Sequence, residues 1–233
     1  MNELAAHTVK SFDDDIHQLR SLVTQMGGLC EAQITNAIEA LMERDPDQAM
    51  TVVGTDPRID ALEAEAERLA VTMIALRAPM ANDLREIIAA LKISAVLERI
   101  GDYAKNIAKR ASTLTSTGPI EPVVIIPQMA RVVIEMIRDA LDAFVDRDAD
   151  KAIAVCQRDA EVDTYYNSLF RSLLTFMMEN PHHITPSAHL LFIAKNLERI
   201  GDHATNVAEM VYFSATGEHF AGRTKSDDTA YAV

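Results

Sequence analysis

The chain of 233 residues contains no tryptophan, only two cysteines and 5% aromatic residues. Cys30 and Cys156 lie at unrelated places in apolar stretches, which favours free thiols over a disulfide. No apolar run approaches the ~18–20 residues that a membrane-spanning helix requires. The N-terminal stretch carries Asp13, Asp14 and Asp15 where a secretory signal peptide is apolar. These absences predict a cytoplasmic protein without a membrane span.

Basic residues are also scarce, with 22 Lys and Arg against 35 Asp and Glu, which leaves a net charge of −13. Phosphate backbones and anionic lipids are held mainly by Lys and Arg, so general binding to nucleic acid is disfavoured. The charge instead favours cations and basic protein surfaces as partners.

Helix-forming residues dominate the composition, because Ala, Leu, Ile and Met recur throughout and hydrophobic residues make up 48% of the chain. Apolar residues repeat at three- and four-residue spacing, which predicts amphipathic helices and an all-α fold. The predicted helical segments are roughly 4–43, 46–77, 83–114, 123–146, 149–179 and 186–214. A short apolar stretch, Val123–Ile126, is expected to be extended.

An internal duplication sets the architecture. The segment LERIGDYAKNIA at 97–108 recurs as LERIGDHATNVA at 197–208, with nine of twelve residues identical at an offset of 100. Upstream the offset is 103, and it pairs Arg44 and Asp45 with Arg147 and Asp148. Both aspartates stand where helix N-caps belong. The change in offset falls in the connection between the second and third helices, where insertions are tolerated.

Three helices with short connections in each half predict two tandem, pseudo-symmetric antiparallel three-helix bundles. We place the first bundle at residues 1–118 and the second at 119–216, with the boundary in a breaker-rich linker. The remaining residues, 217–233, are polar and without periodicity, so they are predicted to form a flexible tail.

Paired acids at i and i+4 occur four times, at positions that correspond between the halves. They are Asp56 and Asp60, Glu98 and Asp102, Asp159 and Asp163, and Glu198 and Asp202. Residues four apart on a helix point the same way, and hairpin geometry brings the two pairs of each half face to face. Such like charges are unfavourable, so something positive is expected to offset them. Arg99 and Arg199 point about 100° away from the preceding Glu and are poorly placed to do so.

Oxygen-only groups of this kind suit magnesium, manganese, calcium and iron, with zinc as a further candidate. Asn106 and Asn206, one turn further along, offer a carbonyl ligand or a supporting hydrogen bond. Gly101 and Gly201 are unfavourable inside a helix and indicate close approach of a neighbouring helix or ion. The alternative is that the acids form solvated faces or interhelical ion pairs.

The two LERIGD segments, HTVKSF at 7–12 and ITPSAHLLFIAKN at 184–196 resemble the PhoU family, over about residues 5–215. The resemblance implies two three-helix bundles that carry acid-x-x-x-acid motifs, with multinuclear metal clusters in some members. Carried over, the metal ligands are Glu98, Asp102, Glu198 and Asp202, with Asp56, Asp60, Asp159 and Asp163 on the preceding helices.

The resemblance also implies a function. Such a protein is a metal-binding adaptor and not an enzyme. It acts with the ATPase subunit of the phosphate ABC transporter and with a sensor histidine kinase to silence the phosphate-starvation response. We therefore expect a cytoplasmic protein that reaches the inner membrane through its partners, and a homodimer. The sequence has no Gly-rich phosphate loop, which indicates that phosphate is sensed indirectly.

Two departures from the family pattern and the internal repeat affect the acidic sites. Pro57 directly follows Asp56 inside the predicted second helix and is expected to kink or break it, which puts Asp56 in question as a ligand. Tyr103 stands where the second half has His203, so the two sites are expected to differ.

Other functions fit the residues less well. A di-iron oxidase needs Glu-x-x-His motifs on two helices, whereas only Glu179 to His182 has this spacing and Pro181 ends the helix between them. A metal-storage protein and a purely structural helical scaffold remain as alternatives to the adaptor.

Overall fold

The computed structural model describes residues 2–115 and 121–220, with the side chains of 12–115 and 122–220. Its helices are α1 (Asn2–Glu43), α2 (Pro46–Arg77), α3 (Asn82–Leu114), α4 (Ile126–Asp146), α5 (Ala149–Glu179) and α6 (Ile184–Thr216). Within the described residues the only other elements are two short 3-10 helices, Glu121–Ile125 and Pro181–His183. The predicted all-α fold of six helices is confirmed. The predicted linker boundary at 118 and most of the predicted tail, from 221 onward, lie outside the described residues.

The extended conformation expected for Val123–Ile126 is wrong. Residues 121–125 form a 3-10 helix that leads directly into α4 at Ile126. Pro122 and Pro127 fix their φ angles near helical values, and a proline in the first turn of a helix loses no hydrogen bond. Ile126 is fully buried, so the apolar run forms the start of a helix that packs in the core.

The break expected at Pro57 is also wrong, because α2 continues from Pro46 to Arg77 with Pro57 inside it. The proline lies on the exposed side of the helix, whereas Asp56 and Ile59 are buried. Packing of the buried face on the bundle thus keeps α2 helical, although Pro57 cannot donate a backbone hydrogen bond.

The same turn connects the first two helices of each half. Arg44 and Arg147 adopt left-handed backbone conformations, with φ angles of 60° and 54°. The next residue caps the following helix: the Asp45 side chain accepts hydrogen bonds of 2.9 and 3.0 Å from backbone N–H groups of the first turn. The Asp148 side chain accepts one of 2.9 Å from the Lys151 N–H. Both predicted N-caps are confirmed, and the duplication extends to the turn.

Helices α1 to α3 pack together as one bundle and α4 to α6 as the other, and the bundles are joined where α3 packs on α6 and α1 on α4. The rings of Tyr103 and His203 stack with centroids 5.4 Å apart. Near the start of α3, the Arg85 guanidinium lies beside Gly217, just past the end of α6. Helices α3 and α6 are therefore antiparallel, and the repeat-equivalent residues Tyr103 and His203 meet near a local twofold axis.

Neither cysteine forms a disulfide among the described residues, and Cys30 is buried and Cys156 half-buried. Burial raises the pKa of the Cys30 thiol, which donates a hydrogen bond to the Leu97 carbonyl at 3.2 Å. None of the described helices is long and apolar enough to cross a membrane.

Candidate carboxylate sites

A lysine holds the acids of the N-terminal half together. The Lys105 ammonium on α3 donates to Asp56 Oδ2 on α2 and to Asp102 Oδ1 on its own helix, each at 2.5 Å. The two carboxylate oxygens are therefore no more than 5.0 Å apart. Hydrogen bonds to Asp102 and then to Asp56 raise the pKa of Lys105. The positive group expected beside these acids is thus part of the protein itself.

Glu98 of α3 is close enough to the other acids of this half for their charges to act on it. Its pKa is raised by burial first, and then by the charges of Asp102, Glu63, Asp60 and Asp56. The four predicted acids of this half thus lie within electrostatic reach of Glu98. Glu63 is a fifth that the i, i+4 pattern did not include, although it follows Asp56 by seven residues, which is two turns on the same helix face.

Gln33 of α1 also reaches this site. It is buried, its Nε2 donates to Thr55 Oγ1 at 3.1 Å, and its Oε1 has no hydrogen-bond partner among the described residues. This oxygen is 3.4 Å from the position that a β-carbon on Gly101 would occupy, and Ile59 Cδ1 is 2.9 Å from the same position. The close helix approach predicted at Gly101 is confirmed.

In the C-terminal half a lysine of α6 pairs with the glutamate of the acidic group. Lys195 Nζ lies 2.7 Å from Glu198 Oε1, one turn away on α6. The other oxygen, Glu198 Oε2, is buried and has no hydrogen-bond partner among the described residues. Burial raises the pKa of Glu198, Lys195 opposes the rise, and the charges of Asp202 and Asp163 add to it.

Asp159 of α5 completes this group. Its Oδ1 lies 3.6 Å from the position of a β-carbon on Gly201, and Val162 Cγ1 lies 3.3 Å from the same position. The close approach predicted at Gly201 is confirmed as well. Together with the charges that act on Glu198, these contacts place all four predicted acids of this half where α5 meets α6.

The two predicted asparagines differ in their surroundings. Asn106 is exposed and lines a basic cavity together with Lys109 and Arg110. Asn206 is half-buried on α6 and forms an interaction of its own.

Sequence reasoning missed Lys105 and Lys195 as counter-charges and weighed only the arginines beside the glutamates. As expected, Arg199 is directed elsewhere, with its guanidinium 5.8 Å from the centre of the Tyr103 ring. The missed signal was local, because Lys105 follows Asp102 by three residues and Lys195 precedes Glu198 by three. Residues three apart are neighbours on a helix surface.

Both groups offer oxygen donors, which suit a hard or borderline cation, but they fit one to different degrees. In the C-terminal group the unpartnered Glu198 Oε2 leaves a buried donor unused. In the N-terminal group Lys105 already stands between Asp56 and Asp102. Among the described residues, no three His, Cys, Asp or Glu side chains are already arranged around one ion position.

Two antiparallel three-helix bundles with acidic groups at repeat-equivalent positions define a class of duplicated, carboxylate-bearing helical proteins. The chain belongs to the PhoU family, since the PhoU domain matches residues 23–111 and 126–211, one match in each bundle.

Similar proteins and structures carry the same family name. The phosphate-specific transport system accessory protein PhoU homolog of Zymomonas mobilis is 55% identical over 222 residues, which are 95% of this chain and 94% of that protein. The homolog of Caulobacter vibrioides is 49% identical over 94% of this chain and 96% of that protein. The crystal structure of PhoU from Pseudomonas aeruginosa has a TM-score of 0.84 at 38% identity, and covers 89% of this chain and 100% of that one. The crystal structure of the phosphate transport system regulatory protein PhoU from Streptococcus pneumoniae has a TM-score of 0.82 at 29% identity, and covers 90% of this chain and 99% of that one.

Proposed function

We propose that this protein regulates phosphate transport as a negative regulator of the phosphate-starvation response. The observation that carries the proposal is the match of both bundles to the PhoU domain, together with relatives named as accessory and regulatory proteins of phosphate transport. In this role the chain is an adaptor and not an enzyme.

The proposed partners are the ATPase subunit of the phosphate ABC transporter and a phosphate-sensing histidine kinase. The net charge of −13 favours basic surfaces on both. The protein would act in the cytoplasm, at the inner membrane only through these partners, and as a homodimer.

Metal binding is the second part of the proposal. The ligands would be Asp159, Asp163, Glu198 and Asp202 in the C-terminal half, and Asp56, Asp60, Glu98 and Asp102 in the N-terminal half, with Asn106 and Asn206 as further oxygen donors. Magnesium, manganese, iron and zinc are the candidate ions. A bound ion would supply positive charge between two helices of a hairpin. The residues themselves present the carboxylates from both helices of the hairpin, and an ion held between them would stiffen or bridge the surface that docks on the partners.

A structural scaffold is the second candidate, and the Lys105 contacts favour it for the N-terminal half. Two acids neutralised by the protein's own lysine need no ion for stability. A scaffold, like a metal-storage protein, predicts that regulation is independent of the carboxylates.

The test is alkaline phosphatase output in high phosphate, measured in cells that lack the protein and carry either the wild-type gene or Asp102→Ala/Asp202→Ala. We expect high output without the protein, low output with the wild type, and raised output with the double variant. The exposed acids Glu67 and Asp146 provide matched controls, since Glu67→Ala/Asp146→Ala changes the charge equally outside the two groups.

Low output without the protein would overturn the repressor proposal. Full repression by the double variant, with its helical circular dichroism unchanged, would retain the repressor and remove the carboxylates from its mechanism.

A further inference from the structure

A basic cavity lies between the C-terminal part of α3 and the N-terminal part of α6. Its volume is about 530 Å³, and Lys109, Arg110, Lys195 and Arg199 line it. No Asp or Glu is among the described residues that form its wall. Four cations in a wall that contains no carboxylate are unexpected in a chain whose net charge is −13.

Three of the four cations are not neutralised by the protein. Among the described residues, Lys109, Arg110 and Arg199 form no ion pair with an acid, unlike Lys195, which pairs with Glu198. The Arg110 guanidinium instead lies 4.0 Å from the centre of the Phe192 ring. Aromatic faces hold a guanidinium in place without cancelling its charge. Like charges gathered in a concave site focus a positive potential that attracts an anion.

Neutral donors add to the charges. Asn106 brings a side-chain amide to the wall, and so does Asn196, one of whose amide N–H groups donates to the Phe192 carbonyl at 2.7 Å. His189 lines the wall with a buried Nδ1 that has no hydrogen-bond partner in the described part of the chain. Guanidinium groups match the oxygens of a phosphate group bidentately, and lysine and amide donors supplement them. The donor set is therefore that of a phosphate site built from side chains and not from a Gly-rich loop.

The volume of the cavity restricts the class of ligand that it can bind. Sites for small organic ligands are typically about 300–1,000 Å³, and this cavity falls within that range. A single phosphate ion would leave most of the space and several of the cations unused. A chain of two or more phosphate groups would use both the volume and the charge.

The duplication does not explain the cavity. At the repeat-equivalent positions, Lys109 and Arg110 are replaced by Glu209 and Met210, and Lys195 by Ala95. The basic lining is thus particular to one side of the local twofold axis, whereas the acid pairs occur on both.

We propose that this cavity binds a small anion with several linked phosphate groups, either inorganic polyphosphate or the phosphate tail of a nucleotide. The proposal goes beyond the regulatory function above, and it uses none of the proposed metal ligands except Asn106. Lys195 connects the two regions, because a bound anion competes with Glu198 for the same ammonium group.

The experiment is isothermal titration of the full chain, in metal-free buffer, with tripolyphosphate and separately with ATP. Orthophosphate and sulfate are the comparison anions. We expect one tripolyphosphate per chain, bound at least tenfold more tightly than sulfate and more weakly as salt rises from 50 to 200 mM. Binding of ATP as well as tripolyphosphate would assign the site to a phosphate tail from either source, and binding of tripolyphosphate alone would assign it to the inorganic chain.

Arg110→Gln/Arg199→Gln should lower the affinity for tripolyphosphate at least tenfold. Arg68→Gln/Arg171→Gln makes the same change in net charge at exposed positions outside the cavity and should leave it nearly unchanged. Lys109→Gln tests the site if the double arginine variant does not fold. Lys109 is exposed, and its substitution leaves both arginine–aromatic contacts intact.

Three results would overturn the proposal. The first is no binding of either phosphate chain beyond that of sulfate. The second is an equal loss of affinity in the cavity and control variants, which would show general electrostatic attraction. The third is binding of an acidic peptide in place of both phosphate chains, which would make the cavity a protein-docking surface. The titration does not depend on regulation in cells, so either proposal can fail alone.

Discussion

The two halves repeat the same acids but neutralise them differently. In the N-terminal half, Lys105 joins Asp56 and Asp102 across two helices. The equivalent residue of the C-terminal half is Thr205, whose hydroxyl donates to the Gly201 carbonyl of its own helix at 3.2 Å. In that half Lys195 pairs with one oxygen of Glu198, and the other oxygen is buried without a hydrogen-bond partner among the described residues.

This difference shows which features of the duplication were retained. The acids, the glycines and the capped turns correspond between halves, whereas the counter-charges do not. Gln33, which reaches the first acidic group from α1, corresponds to the apolar, buried Met136 of α4. One motif has thus produced a group in which a lysine joins two acids across helices and a group in which one buried oxygen of Glu198 has no partner among the described residues.

The largest expected effect is on stability. Lys105→Met leaves Asp56, which is only 8% exposed, without its cation, and we expect a loss of about 2–3 kcal/mol in the free energy of unfolding. Lys195→Met breaks a pair within one helix whose lysine side chain is 43% exposed, and should cost less than about 1 kcal/mol. Urea unfolding of both variants measures the difference. Equal losses would mean that the two lysines play the same part.

The next effect concerns metal affinity and rests on the proposed ion binding. We expect Asp202→Ala to weaken the tightest Mn²⁺ site about tenfold, or about 1.4 kcal/mol, since Glu198 Oε2 in the C-terminal half is a buried oxygen donor without a partner among the described residues. Asp102→Ala should change it little, because Lys105 already occupies the N-terminal group. Titration with Mn²⁺ after removal of bound metal checks this order.

Lys105→Gln provides the converse test of metal affinity. By releasing Asp56 and Asp102, it should strengthen Mn²⁺ binding to the N-terminal half. If Asp102→Ala weakens binding as much as Asp202→Ala does, the proposed asymmetry is wrong.

The smallest effect separates the two glycines. Alanine in place of a mid-helix glycine stabilises a helix by about 0.5–1 kcal/mol. At Gly101 the new methyl would stand 2.9 Å from Ile59 Cδ1, so overpacking should win and Gly101→Ala should lose about 1 kcal/mol. At Gly201 the nearest atom is 3.3 Å away, and the two effects should nearly cancel. Thermal unfolding of the two variants measures this difference. A Gly101→Ala variant more stable than the wild type would show that Ile59 moves aside easily.

Features that depend on neighbouring residues were predictable. The helix bounds, the Asp45 and Asp148 caps and the i, i+4 acid pairs follow from spacing along one chain segment. The errors arose where a distant part of the chain decided the outcome. Pro57 stays within α2 because the buried face of that helix packs on the bundle, and residues 121–125 coil because Ile126 enters the core.

By itself, the sequence determined an all-α chain of two equivalent halves with acids facing each other across each hairpin, because helical periodicity and internal identity are local properties. The tertiary structure alone decided which cation meets which acid, since Asp56 and Lys105 are 49 residues apart. It also decided the basic cavity, whose walls come from α3 and α6 and become neighbours only when the two bundles pack together. Charge pairing and cavities depend on distances between helices, and a one-dimensional pattern does not contain those distances.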